Sequence, residues 1–500
     1  MSGSLPNSLP PLSERIAGLT GRGRFVVFAG TGAAGALAHP PFGVLGLGLL
    51  SLALVLAAQP WRMGARRAWW AGWDYGLGYF AVALHWIIEP FLVDIARHGW
   101  MAPFAIVLMA GGLALFWGGA LALGAWRRSG LVTVLAFAGA ELLRAHIFTG
   151  FPWGMHVTAL VETWVYQGAA WLGPHGLTLA CLLVLLLLLD APRVALVGLP
   201  LLVLSLTLGP EATAPAEDAP VVRVVQPNAE QHLKWTPEFA PVYLSRMLEA
   251  TGAAPAADLV LWPESAITTW YENGGGIYQE AATRGGGAAV LLGAQSLDAG
   301  QTYNVAGLVG SDGNVEATYR KVHLVPFGEY FPLGRWLGQI DLLGRAGQAA
   351  AGFGFSAGDG PRVMDVPGLG LVQPLICYES IFAHEVRQAP ERPRLIAILT
   401  NDAWFGQWGG PAQHLQHAQA RAIEMGLAVA RSANTGISAI IDARGRVVAS
   451  LPLGASGHVD APLPAALPPT IYARYGNIPF ALLAIVALLA VLVRRRAELD

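Results

Sequence analysis

The sequence predicts a bundle of membrane-spanning α-helices joined to one α/β domain. The 500 residues are 54% hydrophobic and only 13% charged, whereas soluble domains carry about 25% charged residues. Long apolar runs fill the chain before position 210 and after position 477, but between these positions the apolar runs are short and alternate with helix-like stretches. The chain is therefore an integral membrane protein with one soluble portion.

About eight segments are apolar enough to cross a bilayer as helices, which normally takes ~20 residues. They are 24–39, 42–58, 72–94, 101–124, 130–148, 173–190, 193–208 and 478–493. The first, second, seventh and last are shorter than that length, and Pro40-Pro41 marks a tight reversal between the first two. Seven predicted spans therefore precede the soluble portion and one follows it.

Basic residues concentrate in alternate loops between these segments, and such loops face the cytoplasm. They are Arg15, Arg22, Arg24, Arg62, Arg66, Arg67, Arg127, Arg128, Arg193 and Arg494 to Arg496. Arg97 is the main exception. We expect both termini in the cytoplasm and the soluble portion on the far side of the membrane. The predicted parts are a cytoplasmic segment 1–23, a seven-helix domain 24–209, a soluble domain 210–477, an eighth helix 478–493 and a cytoplasmic tail 494–500.

The soluble portion alternates strand-like and helix-like runs. The strand-like runs, rich in Val, Leu and Ile, are 221–226, 259–262, 288–294, 304–310, 369–377, 394–400 and 437–442. Helix-like stretches include 238–252 and 412–431, and residues 442–446 are typical of a hairpin turn. Strands alternating with helices over one segment predict a single α/β domain.

Charge and cysteine content exclude several classes of partner and cofactor. The net charge is −2 and there is no long basic patch, so we expect no nucleic-acid partner. The two cysteines, Cys181 and Cys377, form neither a disulfide framework nor a metal-type spacing. His414 and His417 lie three residues apart on a predicted helix but lack further ligands. We therefore expect no metal and no cofactor.

Three residues of the soluble portion carry the candidate chemistry, and each ends or follows an apolar run: Glu264, Lys321 and Cys377. Acyl transfer through a thiol needs a thiolate, a proton acceptor and a donor for the oxyanion. We expect Lys321 to favour the thiolate of Cys377 and Glu264 to take its proton. Lys321 and the backbone N–H of Tyr378 would then hold the oxyanion. Taken singly, each residue also fits a purely structural role.

The motifs around these residues resemble those of the nitrilase superfamily, the carbon–nitrogen hydrolases. Trp262-Pro263-Glu264 is similar to that family's glutamate motif, the run from Tyr319 to Leu324 to its lysine motif, and Cys377-Tyr378-Glu379 to its nucleophile motif. The order and approximate spacing fit as well. This resemblance implies a four-layer αββα sandwich with a Glu-Lys-Cys triad.

With the predicted spans included, the whole chain resembles the family of bacterial apolipoprotein N-acyltransferases. Further matches are Phe151-Pro152-Trp153-Gly154, Leu233-Lys234-Trp235, Pro326-Phe327-Gly328-Glu329-Tyr330-Phe331-Pro332 and Asn401-Asp402-Ala403-Trp404-Phe405-Gly406. The resemblance implies about eight spans in the bacterial inner membrane, with the nitrilase-like domain in the periplasm before the last helix. It also implies transfer of an acyl chain from a phospholipid, typically phosphatidylethanolamine, to the α-amino group of the diacylglyceryl-cysteine of an apolipoprotein.

The same resemblance assigns roles to individual residues. It makes Glu264 the base, Lys321 the oxyanion stabiliser and Cys377 the nucleophile that becomes a thioester. It gives Glu329, Tyr378, Glu379 and Trp235 supporting roles around the acyl site. From the residues themselves, Trp404, Phe405 and Trp408 stand among glycines after a strand-like run. We expect this loop either to dip into the bilayer interface and control lipid access or to be a packed structural loop.

Two alternatives remain at this point. A membrane-tethered nitrilase-type amidase has the same triad but gives the acyl group to water; a soluble substrate, however, gives no reason for seven spans ahead of the domain. A noncatalytic membrane scaffold needs none of the three triad residues, and all three are intact.

Overall fold

The computed structural model describes residues 16, 19–330, 332 and 354–497, which fall into two compact units. The first unit is the chain up to Gly209 together with the chain from Asn477 onward, and the second is Pro210–Gly476. Arg15, Phe331, most of the predicted segment 1–23 and the end of the tail 494–500 lie outside the described residues.

The first unit is helical. Its helices before the second unit are α1 Gly21–Ala36, α2 Leu45–Ala57, α3 Ala65–Ala83, α4 Ala102–Arg127, α5 Gly130–Arg144, α6 Ala169–Asp190 and α7 Pro192–Thr207. Among the described residues, three helical stretches are long and apolar enough to cross a membrane: Leu45–Arg62, Ile95–Arg127 and Trp164–Asp190. The prediction of eight spans therefore stays a prediction.

The predicted span at 72–94 is wrong as a single helix. α3 starts seven positions earlier than predicted, at Ala65, and ends at Ala83. Leu84 leaves helical backbone angles, with φ −107° and ψ 21°, and Pro90 has no N–H with which to continue a helix. The chain here forms short helical turns instead, at His85–Ile88, Glu89–Leu92 and Ile95–His98.

A buried ion pair holds the interior of this unit, as the spacing of Glu141 and Arg144 on one helix allows. The Arg144 guanidinium lies 2.7 Å from Glu141 Oε2, and Trp117 Nε1 donates to Glu141 Oε1 at 2.6 Å. Arg144 also donates to the carbonyls of Phe151 and Trp153. The Phe-Pro-Trp-Gly motif is thus tied to the end of α5.

The second unit contains two six-stranded sheets. Its strands are β1 Val221–Gln226, β2 Leu259–Leu261, β3 Ala289–Asp298, β4 Gln301–Val309, β5 Val315–Arg320, β6 Met364–Val366, β7 Gly370–Ile376, β8 Leu395–Thr400, β9 Ala428–Ala433, β10 Ser438–Ile441, β11 Val447–Leu451 and β12 Gly457–Pro462. Its main helices are α8 Ala240–Thr251, α9 Gly275–Gly285 and α10 Gly410–Met425.

Both sheets have the same internal plan. The strand orders are β12-β1-β2-β3-β4-β5 and β11-β10-β9-β8-β7-β6. In each sheet three consecutive neighbours run parallel, β1 to β3 in one and β7 to β9 in the other, and the remaining pairs are antiparallel.

The sheets pack face to face, and helices cover their outer faces. An apolar cluster between the sheets includes Val224, Leu261, Ile376 and Ala430. α8 and α9 cover the first sheet, and α10 covers the second. The result is the four-layer αββα sandwich that the motif resemblance implies.

The predicted helix at 412–431 is wrong at its end, because α10 stops at Met425 and residues from Ala428 form the fully buried strand β9. Gly426 adopts a left-handed conformation with φ +64° and ends the helix. The predicted turn at 442–446 is confirmed, since β10 and β11 pair antiparallel across it. After this unit, α11 Ile478–Ala497 belongs to the first unit, where it packs against α6.

Candidate active site

The candidate residues stand just past strand ends of the two facing sheets. Glu264 lies three residues beyond β2, and Lys321 directly follows β5 in the same sheet. Cys377 directly follows β7 in the opposite sheet. Carboxyl ends of parallel strands are where α/β folds assemble their sites. The topology therefore brings together three residues separated by up to 113 positions in the chain.

Glu264 and Lys321 meet in a buried polar cluster. The ammonium of Lys321 lies 3.8 Å from Glu264 Oε1 and 2.8 Å from Glu329 Oε1. Asn304 Nδ2 donates to both carboxylates, at 2.7 Å and 3.2 Å. The backbone N–H of Asn401 donates to the other Glu264 oxygen at 3.0 Å. Each charged group thus has partners that fix its position.

Cys377 forms a sharp elbow between β7 and a short 3₁₀ helix, Cys377–Ile381. Its φ is +52°, a left-handed conformation that is uncommon for a residue with a side chain. Such strain persists where the surroundings impose it, and it concentrates at functional sites. The thiol is 7% exposed, hydrogen-bonds to Thr400, and lies within electrostatic reach of Glu264 and Lys321.

Lys321 favours the thiolate of Cys377, as expected, but other effects outweigh it. Burial raises the pKa of Cys377, and the Glu264 carboxylate adds to this more than Lys321 offsets. Burial also raises the pKa of Glu264, against the opposing effect of Lys321. Burial alone would lower the pKa of Lys321, but Glu329 and Glu264 outweigh it and raise the pKa. At rest the site therefore holds a neutral thiol beside a firmly charged ammonium.

Glu379 joins the two halves of the site through four hydrogen bonds, here called the Glu379 bridge. Its donors are the hydroxyl of Tyr319 at 2.6 Å and the backbone N–H groups of Val322, His323 and Ile376 at 2.7, 3.2 and 2.7 Å. Three of these donors flank Lys321, and the fourth immediately precedes Cys377. The carboxylate thus holds the backbone on both sides of the site.

Tyr378 is buried beside Cys377. Its ring packs edge-on against His323 and Phe382, with centroids 5.4 and 5.0 Å away. His323 also stacks on Phe382 and contacts Glu385 at 2.6 Å. This packing fixes the position of the Tyr378 ring next to the Cys377 elbow.

The loop that carries Trp235 contacts Glu264 through Lys234. Lys234 is buried and donates to the backbone carbonyl of Glu264 at 3.2 Å. Burial lowers the pKa of Lys234 to about 8, against the opposing effect of Glu264. Asn401 Nδ2 donates to Gln231 of the same loop at 2.8 Å. Trp235 itself is 44% exposed, so it stands at the rim of the site.

The structure separates the members of the aromatic loop, residues 403–409. Trp404 and Trp408 are 41% and 61% exposed. Phe405 instead packs against the core between the sheets and, edge-on at 5.2 Å, against His414. Gly406, between the two tryptophans, and Gly409, directly after Trp408, have φ of +65° and +77°, which allows sharp turns at both positions.

Sequence reasoning missed several buried polar residues that pack near Glu264 and Cys377. Asn304 stands inside β4, and Asp402, His414 and Arg431 form a fully buried cluster next to Thr400. The spacing of His414 and His417 raises only the question of a metal ligand, whereas the structure places His414 against Asp402 and Arg431. An Asp directly after a strand-end Asn, and an Arg inside an otherwise small-residue run, were the available signals.

Comparisons with known proteins define the class of the second unit first. Residues 221–468 match the family model described as carbon-nitrogen hydrolase, and residues 31–187 match the model described as apolipoprotein N-acyltransferase N-terminal domain. The second unit is thus a carbon–nitrogen hydrolase domain with a nitrilase-like fold.

Relatives extend the comparison to the whole chain. An apolipoprotein N-acyltransferase of Caulobacter vibrioides is 39% identical over an alignment covering 91% of this chain and 92% of the relative. One of Rhodopseudomonas palustris is 35% identical, covering 95% of each. The chain therefore belongs to the apolipoprotein N-acyltransferase family, and the family resemblance of its motifs is confirmed.

Proposed function

We propose that this chain is a membrane-associated N-acyltransferase of lipoprotein maturation. It moves a fatty acyl chain from a phospholipid, through a thioester on Cys377, to the α-amino group of the diacylglyceryl-cysteine of an apolipoprotein. The observation that carries the proposal is the buried cluster of Glu264, Lys321 and Cys377, in a chain so similar to enzymes of that name along its whole length.

The first half-reaction follows from the protonation states of the site. Glu264 takes the thiol proton as the sulfur attacks the ester carbonyl of the phospholipid. Lys321 and the Tyr378 N–H stabilise the tetrahedral oxyanion. The ester C–O bond then breaks, and the alcohol of the lysophospholipid leaves with the proton from Glu264. The acyl group remains on Cys377.

In the second half-reaction, the acyl group moves from Cys377 to the acceptor amine. The neutral α-amine attacks the thioester carbonyl, and Glu264 takes a proton from the nitrogen. The C–S bond breaks, and the proton returns from Glu264 to the sulfur. A two-step, ping-pong sequence results, and it needs no cofactor. We propose phosphatidylethanolamine as the donor.

Mass measurement tests this proposal on the purified full chain. Incubation with phosphatidylethanolamine in detergent micelles should add one acyl mass to the protein. Adding a diacylated lipopeptide should then remove that mass and produce the triacylated peptide. An acyl mass that disappears in water at the same rate with and without lipopeptide would instead support the amidase alternative.

We further propose that the membrane is the bacterial inner membrane and that residues 210–477 face the periplasm. The arginine distribution supports this orientation. A cysteine introduced at Gly275 of a Cys181→Ala, Cys377→Ala background should react with an impermeant maleimide in intact spheroplasts. One introduced at Arg496 should react only after lysis. The reverse labelling would overturn the orientation.

We also propose that Trp404 and Trp408 admit the lipid donor. Exposed indole rings suit the bilayer interface, which accommodates both an apolar face and a polar edge. Replacing Trp404 and Trp408 with Ser should slow acylation by vesicle phospholipid roughly tenfold, which corresponds to an increase of about 1.4 kcal/mol in the activation free energy. A short-chain, water-soluble ester donor should react at nearly the original rate.

The matched control is Trp270→Ser, which removes a similarly exposed tryptophan outside the aromatic loop. It should leave both rates unchanged. Equal losses with both donors in the Trp404 and Trp408 variant would show that the loop shapes the site itself. Phe405 is left intact in this test because it packs into the core.

A further inference from the structure

Ser380 links the nucleophile elbow to a buried polar cluster that the proposed chemistry leaves unused. Its hydroxyl donates to the backbone carbonyl of Cys377 at 2.8 Å. The same oxygen lies 3.0 Å from His414 Nε2. Ser380 and His414 are 1% and 0% exposed, so these contacts form away from bulk water.

The count of protons fixes which atom donates. A serine hydroxyl has one proton, and a carbonyl oxygen can only accept. With the Ser380 proton toward Cys377 O, the His414 tautomer that completes the contact has Nε2–H donating to Ser380 Oγ, and its Nδ1 then accepts from the Arg431 guanidinium. His414 thus reaches the Cys377 carbonyl through Ser380 and also by a hydrogen bond of its own to the Cys377 backbone.

Further buried groups hold the other end of the imidazole. His414 Nδ1 lies 2.9 Å from Asp402 Oδ1 and 2.9 Å from the Arg431 guanidinium. Arg431 also pairs with Asp402 Oδ2 at 2.6 Å. Thr400, which hydrogen-bonds to the Cys377 thiol, donates to Asp402 Oδ1 at 3.0 Å. The ring therefore has a fixed orientation behind the nucleophile.

The hydrogen bonds from His414 and Ser380 end at the peptide unit that carries the oxyanion donor. The Cys377 carbonyl and the Tyr378 N–H belong to one planar peptide group. A hydrogen bond to the carbonyl fixes the plane and polarises the N–H at its other side. It also holds Cys377 at its unfavourable φ of +52°.

We propose that Ser380 and His414 are positioning residues that orient and polarise the Tyr378 N–H for the oxyanion of the acylation step. The inference rests on the proposed function, since it needs a tetrahedral intermediate on Cys377. It differs from a general structural role because it predicts a loss in the chemical step and none in lipid binding.

Single-turnover acylation of the full chain by phosphatidylethanolamine in micelles, followed by intact mass, tests this. Ser380→Ala should slow acyl-enzyme formation about tenfold, the effect of one ordinary hydrogen bond. The lipid concentration for half-maximal rate should not change. Ser380→Thr keeps the hydroxyl and should restore the rate to within about twofold of the original.

Ser432→Ala is the matched control. Ser432 is fully buried, and its hydroxyl donates to the Val225 carbonyl at 2.7 Å, away from the elbow. Ser432→Ala should lose about as much thermal stability as Ser380→Ala, but its acylation rate should stay unchanged. If Ser380→Ala keeps as much rate as Ser432→Ala, or changes only the half-maximal lipid concentration, the positioning role is wrong.

A second pair of variants covers the case in which Ser380→Ala does not fold. His414→Gln offers an amide N–H toward Ser380, and His414→Leu offers none. Faster acylation by the Gln variant supports the chain of donors, and equal rates overturn it. If the original chain gains no acyl mass at all, the proposed function fails first and this inference with it.

Discussion

Cys377→Ala should abolish acyl-enzyme formation while the protein remains folded and inserted in the membrane. The thiol is the nucleophile of the proposed mechanism, and no other described thiol lies in the second unit. Alanine retains the Cβ, so the elbow at φ +52° meets no new steric conflict. Intact mass after incubation with phospholipid should show no added acyl group, and lipopeptide acylation should fall to background.

Cys181→Ala provides the matched control. Cys181 lies half-buried on α6 in the first unit, and its removal should retain most activity. An active Cys377 variant together with an inactive Cys181 variant would show that the nucleophile has been misassigned.

Glu264→Gln should slow acylation by about 10²–10⁴-fold, the usual contribution of a general base. Glutamine keeps the shape, but its single carbonyl oxygen can accept from only one of Asn304 and Asn401, so a modest loss of stability should accompany the loss of rate. Because burial raises the pKa of Glu264, the acid limb of the wild-type rate profile should lie above the pH at which an ordinary glutamate titrates. The rate should fall as pH drops through that limb, since protonated Glu264 cannot take the thiol proton.

The pH profile separates this role from a structural one. Glu264→Gln should lose the acid limb along with the rate. A variant with a near-normal rate, or one that keeps the limb unchanged, would remove Glu264 from the base role.

Lys321→Met should slow acylation by about 10²–10³-fold, the usual cost of losing an oxyanion donor. It should also destabilise the fold, because it leaves the carboxylates of Glu264 and Glu329 buried without their cation. Thermal unfolding and single-turnover acylation measure the two effects separately.

The double variant Lys321→Met, Glu329→Gln is the control that separates the effect on the acylation rate from the effect on stability. It removes one uncompensated charge and should recover much of the stability. The acylation rate should stay low, because no ammonium returns to the oxyanion. Recovery of rate in parallel with stability would mean that Lys321 serves folding alone.

The sequence predicts the three central residues because each follows a strand end inside a short, dense motif. It does not predict their neighbours, because those contacts join distant parts of the chain. Asn304 reaches Glu264 across 40 positions, and Asn401 reaches it across 137. Spacing alone cannot bring such residues together; the order of strands in the sheets does.

The missed strand β9 has a local cause. Its sequence, Ala-Val-Ala-Arg-Ser-Ala, continues an alanine-rich run that favours helix by intrinsic propensity. Tertiary packing decides otherwise, because Gly426 ends α10 and Arg431 finds Asp402 only from within the second sheet.

The Glu379 bridge also constrains how the site can move. One carboxylate holds the backbone beside Lys321 in the first sheet and beside Cys377 in the second. The two halves of the sandwich therefore cannot separate to admit a lipid without breaking the three hydrogen bonds that join Glu379 to Tyr319, Val322 and His323. On the proposed function, we therefore expect the lipid to enter at the rim, where the loop of Trp235 and the aromatic loop carry the exposed rings. The Glu379 bridge would then keep Lys321 and Cys377 in place while those exposed surfaces meet the substrates.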